Sequence, residues 1–239
     1  METPLGIDVI VLGVAWYVVL LFSLTVHEAA HAWAALRGGD RTAYLGGQVS
    51  LDPLPHVRRE PLGMVVFPLL AYALSSGQWM FGWASTPFDP LWARQYPRRA
   101  AWMSLAGPTA NLALTLASGA LLRTGLEAGV FYPEPVGFSH LVGAVEGGVF
   151  SAAATILSIT FTLNLVLFVF NLFPLPPLDG AGAIGLILPE QATRRLQEAF
   201  ASPAVALGGL LLVWLVFPRV FAPVHLAALR FLYAGVAVS

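Results

Sequence analysis

Residues His27-Glu28-Ala29-Ala30-His31 place two imidazoles and a carboxylate within five positions of an otherwise apolar run. Residues four apart lie on one face of an α-helix, so His27 and His31 can reach a single divalent metal ion together. Glu28, next to the first of them, can take a proton from a water in an open coordination position. That is the mechanics of the H-E-x-x-H pattern: two ligands and a general base for hydrolysis. The plainer alternative is polar residues packed at a helix interface. It fits an apolar span poorly, because ionisable groups in lipid are costly and normally mark function.

A catalytic zinc usually takes three protein ligands and keeps one position open. The chain has no cysteine, which excludes disulfides and leaves His, Asp or Glu for the third donor. Asp40, Asp52, His56, Glu60, Asp89, His140, Asp179 and His225 are the candidates. Asp179 stands out. Asn171 ends an apolar span, and Pro174, Pro176 and Pro177 after it prevent regular helix. Asp179-Gly180 thus falls on unwound backbone at a depth comparable with the two histidines. The competing reading is an ordinary Asp-Gly turn at a membrane surface.

The elements that must position these groups are membrane elements. Hydrophobic residues make up 57% of the 239 and charged residues 10%, against about 25% charged in soluble domains. A net charge of -1 gives no basis for nucleic-acid binding. The fold class expected is an α-helical polytopic membrane protein, with five to six transmembrane or re-entrant helical segments and a small membrane-associated β element. No linker divides the chain, so residues 1–239 are expected to form one domain, with a core over about 7–185 and C-terminal helices over about 203–237. Met1-Glu2-Thr3-Pro4 offers no basic n-region, so the first helix is expected to be retained rather than cleaved as a signal peptide.

In order, the sequence predicts a helix over Ile7–Leu36 stopped by Gly38-Gly39, and a short strand with turns over Tyr44–Glu60. An apolar stretch over Pro61–Ala84, broken by Pro68 and Ser75-Ser76-Gly77, overlaps a second extended stretch at Phe81–Phe88. Spans follow at Ala100–Leu122 and Val149–Phe173, separated by an acidic loop. A polar interfacial helix over Pro189–Phe200 precedes two shorter apolar runs, Ala204–Phe217 and Val220–Val238. If the first helix ends in the cytoplasm, Arg37, Arg41, Arg58, Arg59, Arg94, Arg98, Arg99, Arg194 and Arg195 can all be cytoplasmic. That parity requires Pro61–Ala84 to enter and return rather than cross.

Three motifs occur in order, each on its own span: His27-Glu28-Ala-Ala-His31, Ala106-Gly107-Pro108-Thr109-Ala110-Asn111, and Asn171-Leu-Phe-Pro174-Leu-Pro176-Pro177-Leu178-Asp179-Gly180. Together they make the chain resemble the site-2 protease family of intramembrane zinc metalloproteases, in a minimal form without a PDZ or regulatory domain. The resemblance implies that His27, His31 and Asp179 bind one catalytic Zn2+ and that Glu28 is the catalytic base. It places the zinc within the membrane, nearer the cytoplasm. Gly107 and Asn111 match the family's Gly-x-x-x-Asn signature, and Asn171 opens its third motif, so all three are expected to bind substrate or support the site. For Asn111, hydrogen bonding near the zinc and plain helix packing beside Gly107 both stand. The stretches 44–52 and 81–88 look like the family's membrane-embedded strands, whose edge can hold an unwound substrate by β-addition. Two departures concern gating and recognition. His56 is followed by Val57-Arg58-Arg59 instead of an acidic residue, and Ser85 stands where relatives often carry Lys. His56 reads either as a transient cap on the zinc or as a surface histidine in a Pro-rich turn.

The function expected is an intramembrane zinc endopeptidase that cuts transmembrane segments of other proteins within the lipid bilayer of a bacterial or archaeal cell. The alternatives are a catalytically silent zinc-binding scaffold, a metal transporter, or a hydrolase of lipids or small molecules. Conduction fits poorly, because the segments 100–122 and 149–173 carry no charged side chain.

Overall fold

The computed structural model describes residues 7–134 and 136–236. The N-terminal stretch Met1–Pro4 and the end of the Val220–Val238 run lie outside them. Four long apolar helices dominate: α1 (Ile7–Gly38), α6 (Pro97–Glu127), α7 (Val149–Asn171) and α10 (Pro203–Leu232). Each is long and apolar enough to cross a bilayer. In hydrocarbon every backbone polar group needs a partner inside its own segment, and helix is the arrangement that supplies one to continuous apolar sequence.

Helices α1, α6 and α7 form the central layer. Trp16, Val19, Leu20 and Leu24 of α1 pack against Ile159 and Leu163 of α7. Leu122 and Leu126 of α6 join Phe161, Leu165 and Val169 of α7, and Phe221, Leu229 and Leu232 of α10 close that cluster. The C-terminal region departs from expectation. The two separate runs are one continuous helix, α10, with Pro218 and Pro223 inside it. Membrane helices tolerate internal proline, because neighbouring groups and small local adjustments satisfy the freed carbonyls.

The segment after α1 also differs. Residues 44–52 form no strand: they hold the end of a helical turn, α2 (Thr42–Leu45), and then bends. The prolines that suggested a break instead open a helix, α3 (Pro53–Arg59), with Pro53 in its first turn and the Asp52 carboxylate accepting from the Leu54 N–H. A first-turn proline costs nothing, since its missing N–H would have had no helical partner. His56 is 1% exposed, which removes the surface reading; its Nε2 donates to the Ser50 carbonyl at 3.1 Å.

Residues 61–84 enter and return. A π-helical turn (Leu62–Val66) runs into α4 (Phe67–Leu74). The Tyr72 hydroxyl donates to the Val9 carbonyl at 2.8 Å, which puts the apex beside the first turn of α1. The chain then comes back extended over 79–88, and Ser85 Oγ donates to Glu60 Oε1 at 2.5 Å, so the two limbs end level with each other. Among the described residues, Trp83 N–H to Gly63 O at 3.2 Å is the one backbone–backbone hydrogen bond that this extended limb makes. It is an open edge, not a sheet. The observed sheet lies elsewhere, in the loop after α6, where β1 (Phe131–Pro133) pairs antiparallel with β2 (Val142–Ala144).

At the Arg37 end of α1, the Asp40 carboxylate accepts from the Thr42 N–H and hydroxyl and, through its other oxygen, from the Asp89 N–H at 2.8 Å. This clasp fixes the returning limb where it enters α5 (Pro90–Gln95) and then α6. After α7, the proline-rich stretch leads into a short helix, α8 (Asp179–Ala183), and through a 3-10 turn and α9 (Glu190–Phe200) to α10.

Candidate metal centre

His27 and His31 lie about two-thirds of the way along α1, on the face turned to α6, and both rings are buried. Their rings meet edge to face, with centroids 4.6 Å apart and Nε2 atoms 3.0 Å apart. Gly107 of α6 makes the room. A Cβ built there would collide with Nε2 of both histidines, so at this position no side chain is compatible with the ring placement.

The third group arrives from beyond α7. Asp179 opens α8, and its Oδ2 stands 3.1 Å from His27 Nε2 and 3.3 Å from His31 Nε2. Gly180 permits the approach, because a Cβ there would run into the carbonyls of Leu172 and Phe173 at the end of α7. Among the described residues, these three form the one cluster of His, Cys, Asp or Glu whose donor atoms lie within 4.8 Å of one another.

The rest of the acidic and histidine candidates are engaged elsewhere. Asp52 and Asp89 cap α3 and α5, Asp40 closes its clasp, Glu60 accepts from Ser85, and His225 stacks on Phe221. His140 does not join the cluster.

The hydrogen bonds behind the rings test whether a metal fits. His31 Nδ1 is 2.7 Å from the Met103 carbonyl, which can only accept, so in the neutral ring Nδ1 carries the proton and Nε2 a lone pair. His27 Nδ1 is 2.5 Å from Asn111 Oδ1, also an acceptor, with the same result. Both Nε2 atoms therefore present lone pairs to each other and to Asp179 Oδ2, which is buried and has no donor of its own. One proton could satisfy a single pair of these atoms and would leave the third facing another lone pair. A single divalent cation satisfies all three. Two imidazoles and a carboxylate, with each imidazole hydrogen-bonded on its far side, make a donor set suited to zinc.

Glu28 is 4% exposed. The Thr86 hydroxyl lies 2.6 Å from Glu28 Oε2 and 2.9 Å from the Glu28 carbonyl, so the returning limb grips the carboxylate directly. Ser85, next to it, is held by Glu60, by Arg59 Nε to its carbonyl at 3.2 Å, and by Gln48.

A family model described as "Peptidase family M50" matches residues 15–216. The chain belongs to peptidase family M50. Among curated relatives, "Putative zinc metalloprotease YwhC" of Bacillus subtilis is 33% identical over 184 residues, covering 76% of this chain and 73% of that protein. "Putative zinc metalloprotease Rip2" of Mycolicibacterium smegmatis is 32% identical over 179 residues, covering 75% of this chain and 59% of that protein. Rip2 of Mycobacterium tuberculosis H37Rv matches to the same extent. No solved structure matches.

Asn111 sits behind His27 rather than in the open face of this M50 site, and Asn171 donates to the Leu167 carbonyl of its own helix at 3.0 Å. Sequence reasoning passed over Thr86 and Asn164. Thr86 carried no signal beyond its place in an extended apolar stretch. Asn164 did: an amide in the middle of a lipid-spanning helix needs a partner there.

Proposed function

We propose that the chain is an integral-membrane zinc endopeptidase that cuts transmembrane segments of other proteins. The observation that carries this reading is the convergence of His27 Nε2, His31 Nε2 and Asp179 Oδ2, all lone-pair donors, beside the buried carboxylate of Glu28. His27, His31 and Asp179 would hold one zinc ion. Bound there, zinc supplies Lewis-acid polarisation of a water and of the scissile carbonyl.

Glu28 accepts the proton of the attacking water and returns it to the leaving amine. Thr86 holds Oε2 of that carboxylate in place during both transfers. A helical substrate hides its amides in its own hydrogen bonds and must be unwound to be cut. The open edge of 79–88, which carries Thr86, is suited to receive the unwound strand by β-addition. The alternating residues of an extended chain point their N–H groups to opposite sides. Trp83 N–H is engaged with Gly63, and among the described residues the Gly82 and Ala84 N–H groups have no partner within the chain, which leaves them for a substrate strand. Water reaches this depth by its shorter route from the Arg37 end of α1, the cytoplasmic side by the arginine distribution.

Glu28→Gln tests the reading. The variant is expected to bind zinc as the wild type does and to lose cleavage of a model transmembrane substrate by about 10²- to 10⁴-fold, the usual worth of a general base. Unchanged cleavage rejects the mechanism, and purified wild type without stoichiometric zinc rejects the metal site.

A further inference from the structure

His31 has its protonated nitrogen fixed by a backbone carbonyl, which cannot change character. His27 faces the side-chain amide of Asn111, which could in principle present either its oxygen or its NH2 group. The polarity of that contact is decided two residues away, on α7. Asn164 Nδ2 is 2.8 Å from the carbonyl of Thr160, one turn back in the same helix, and 2.9 Å from Ser23 Oγ of α1. The carbonyl accepts only, so the NH2 end of Asn164 must face it and its Oδ1 must face the other way. That oxygen meets Asn111 Nδ2 at 2.8 Å, which leaves Asn111 Oδ1 for His27. Ser23, Asn111 and Asn164 are all fully buried, so no water competes for these directions.

We propose that Asn164 and Asn111 form a polarity relay, anchored on the Thr160 carbonyl, that fixes His27 as its Nδ1–H tautomer and so keeps its Nε2 lone pair turned to the metal centre. The inference rests on the zinc reading above and assigns Asn164 as a positioning residue two side chains removed from the ion. With Asn111 turned over, its NH2 group would face His27 Nδ1. The proton would then have to sit on Nε2, where it would hydrogen-bond to Asp179 Oδ2 and have to leave before a metal could bind. The relay makes that arrangement unfavourable and keeps the ligand set ready.

The test uses the full chain in detergent, with zinc affinity read by competition against a chelator and the histidine ring tautomer read by 15N NMR of the metal-free protein. Asn164→Leu frees Asn111 to turn and is expected to weaken zinc binding by about 10- to 100-fold, the range for partners behind a metal-bound histidine. Asn111→Asp is expected to weaken it as well, because its carboxylate oxygen meets Asn164 Oδ1. The double variant Asn111→Asp/Asn164→Leu is expected to recover to within about threefold of wild type, because a carboxylate accepts from Nδ1–H whichever way it turns. Two damaged single variants and a restored double variant is a pattern that lost packing does not give. Additive losses in the double variant overturn the relay, as does a wild-type zinc affinity in Asn164→Leu. The NMR measurement separates this inference from the reading beneath it. Nδ1–H at His27 in wild type and its loss in Asn164→Leu support the relay whether or not zinc binds, and an unchanged tautomer overturns it.

Discussion

Thr86 is the point where the returning limb touches chemistry. Its single hydroxyl proton is shared between a carboxylate oxygen and the backbone carbonyl of the same residue, Glu28. A hydrogen bond to a charged group is worth about 1.5–3 kcal/mol. Thr86→Val, equal in shape, is therefore expected to lower kcat by about 10- to 100-fold with KM and zinc content little changed. Thr86→Ser is expected to restore most of it; equal loss in both variants would make the site one of packing only. At this scale the sequence was informative where spacing carries the chemistry: His27, Glu28 and His31 declare themselves. Gly107 was legible through a motif, but its physical task, the absence of a Cβ against two ligand nitrogens, needs the second helix to be in place. Thr86 was not legible, because nothing local relates it to a residue 58 positions earlier.

Among elements, the re-entrant hairpin holds the most consequence. It is tied to α1 at three heights: Tyr72 to Val9, Thr86 to Glu28, and Asp89 to Asp40. Burial alone would raise the Asp40 carboxyl, but the Thr42 hydroxyl, the Thr42 N–H and the Asp89 N–H together hold it below the usual carboxylate value. A depressed value means that the stabilisation is present above the unfolded value of about 4 and is lost as pH falls through the folded one. Asp40→Asn puts an NH2 group against a donor and is expected to cost about 2 kcal/mol near neutral pH. The gap from wild type should begin to narrow as pH falls below about 4 in thermal unfolding scans; a gap that does not shrink on acidification argues against the clasp. The Ala84 N–H, which has no partner among the described residues, gives a second test. Ala84→Pro removes no hydrogen bond within the chain, so melting should barely change while cleavage falls several-fold, at about 1 kcal/mol per lost bond to substrate. Full cleavage by that variant would sink the β-addition reading. Sequence patterns predicted the hairpin's existence through its broken apolar run and the parity of the arginines. They misassigned 44–60, because the alternation of Val49 and Leu51 after Gly46-Gly47 reads as a strand where the chain only bends, and because prolines that start a helix and prolines that break one look alike in one dimension.

For the molecule as a whole, the long spans were written plainly in the sequence, since an unbroken apolar run in lipid has one economical conformation. The position of Asp179 was partly legible, from prolines that forbid helix just before it, and the contact that brings it to α1 depends on α6 and α7 packing between distant parts of the chain. The contrast between long and short elements also acts outside the protein. Helices α1, α6 and α10 have 32, 31 and 30 residues, each rising more than about 40 Å. The helical limb Leu62–Leu74 rises only about 20 Å, against a hydrocarbon thickness of about 30 Å. Leu62, Leu69, Leu70 and Leu74 on that limb are exposed, and one way for lipid to accommodate a limb shorter than the hydrocarbon is to compress, at a fraction of a kcal/mol per Å. A flank thinned in this way would act as a loaded spring, and under the proposed function a substrate helix arriving there would lie in a bilayer too thin for it. Acyl-chain length would then be a control on rate. In vesicles of one headgroup and increasing chain length, cleavage of the same substrate should slow as the bilayer thickens; a flat dependence would leave the short limb without mechanical effect.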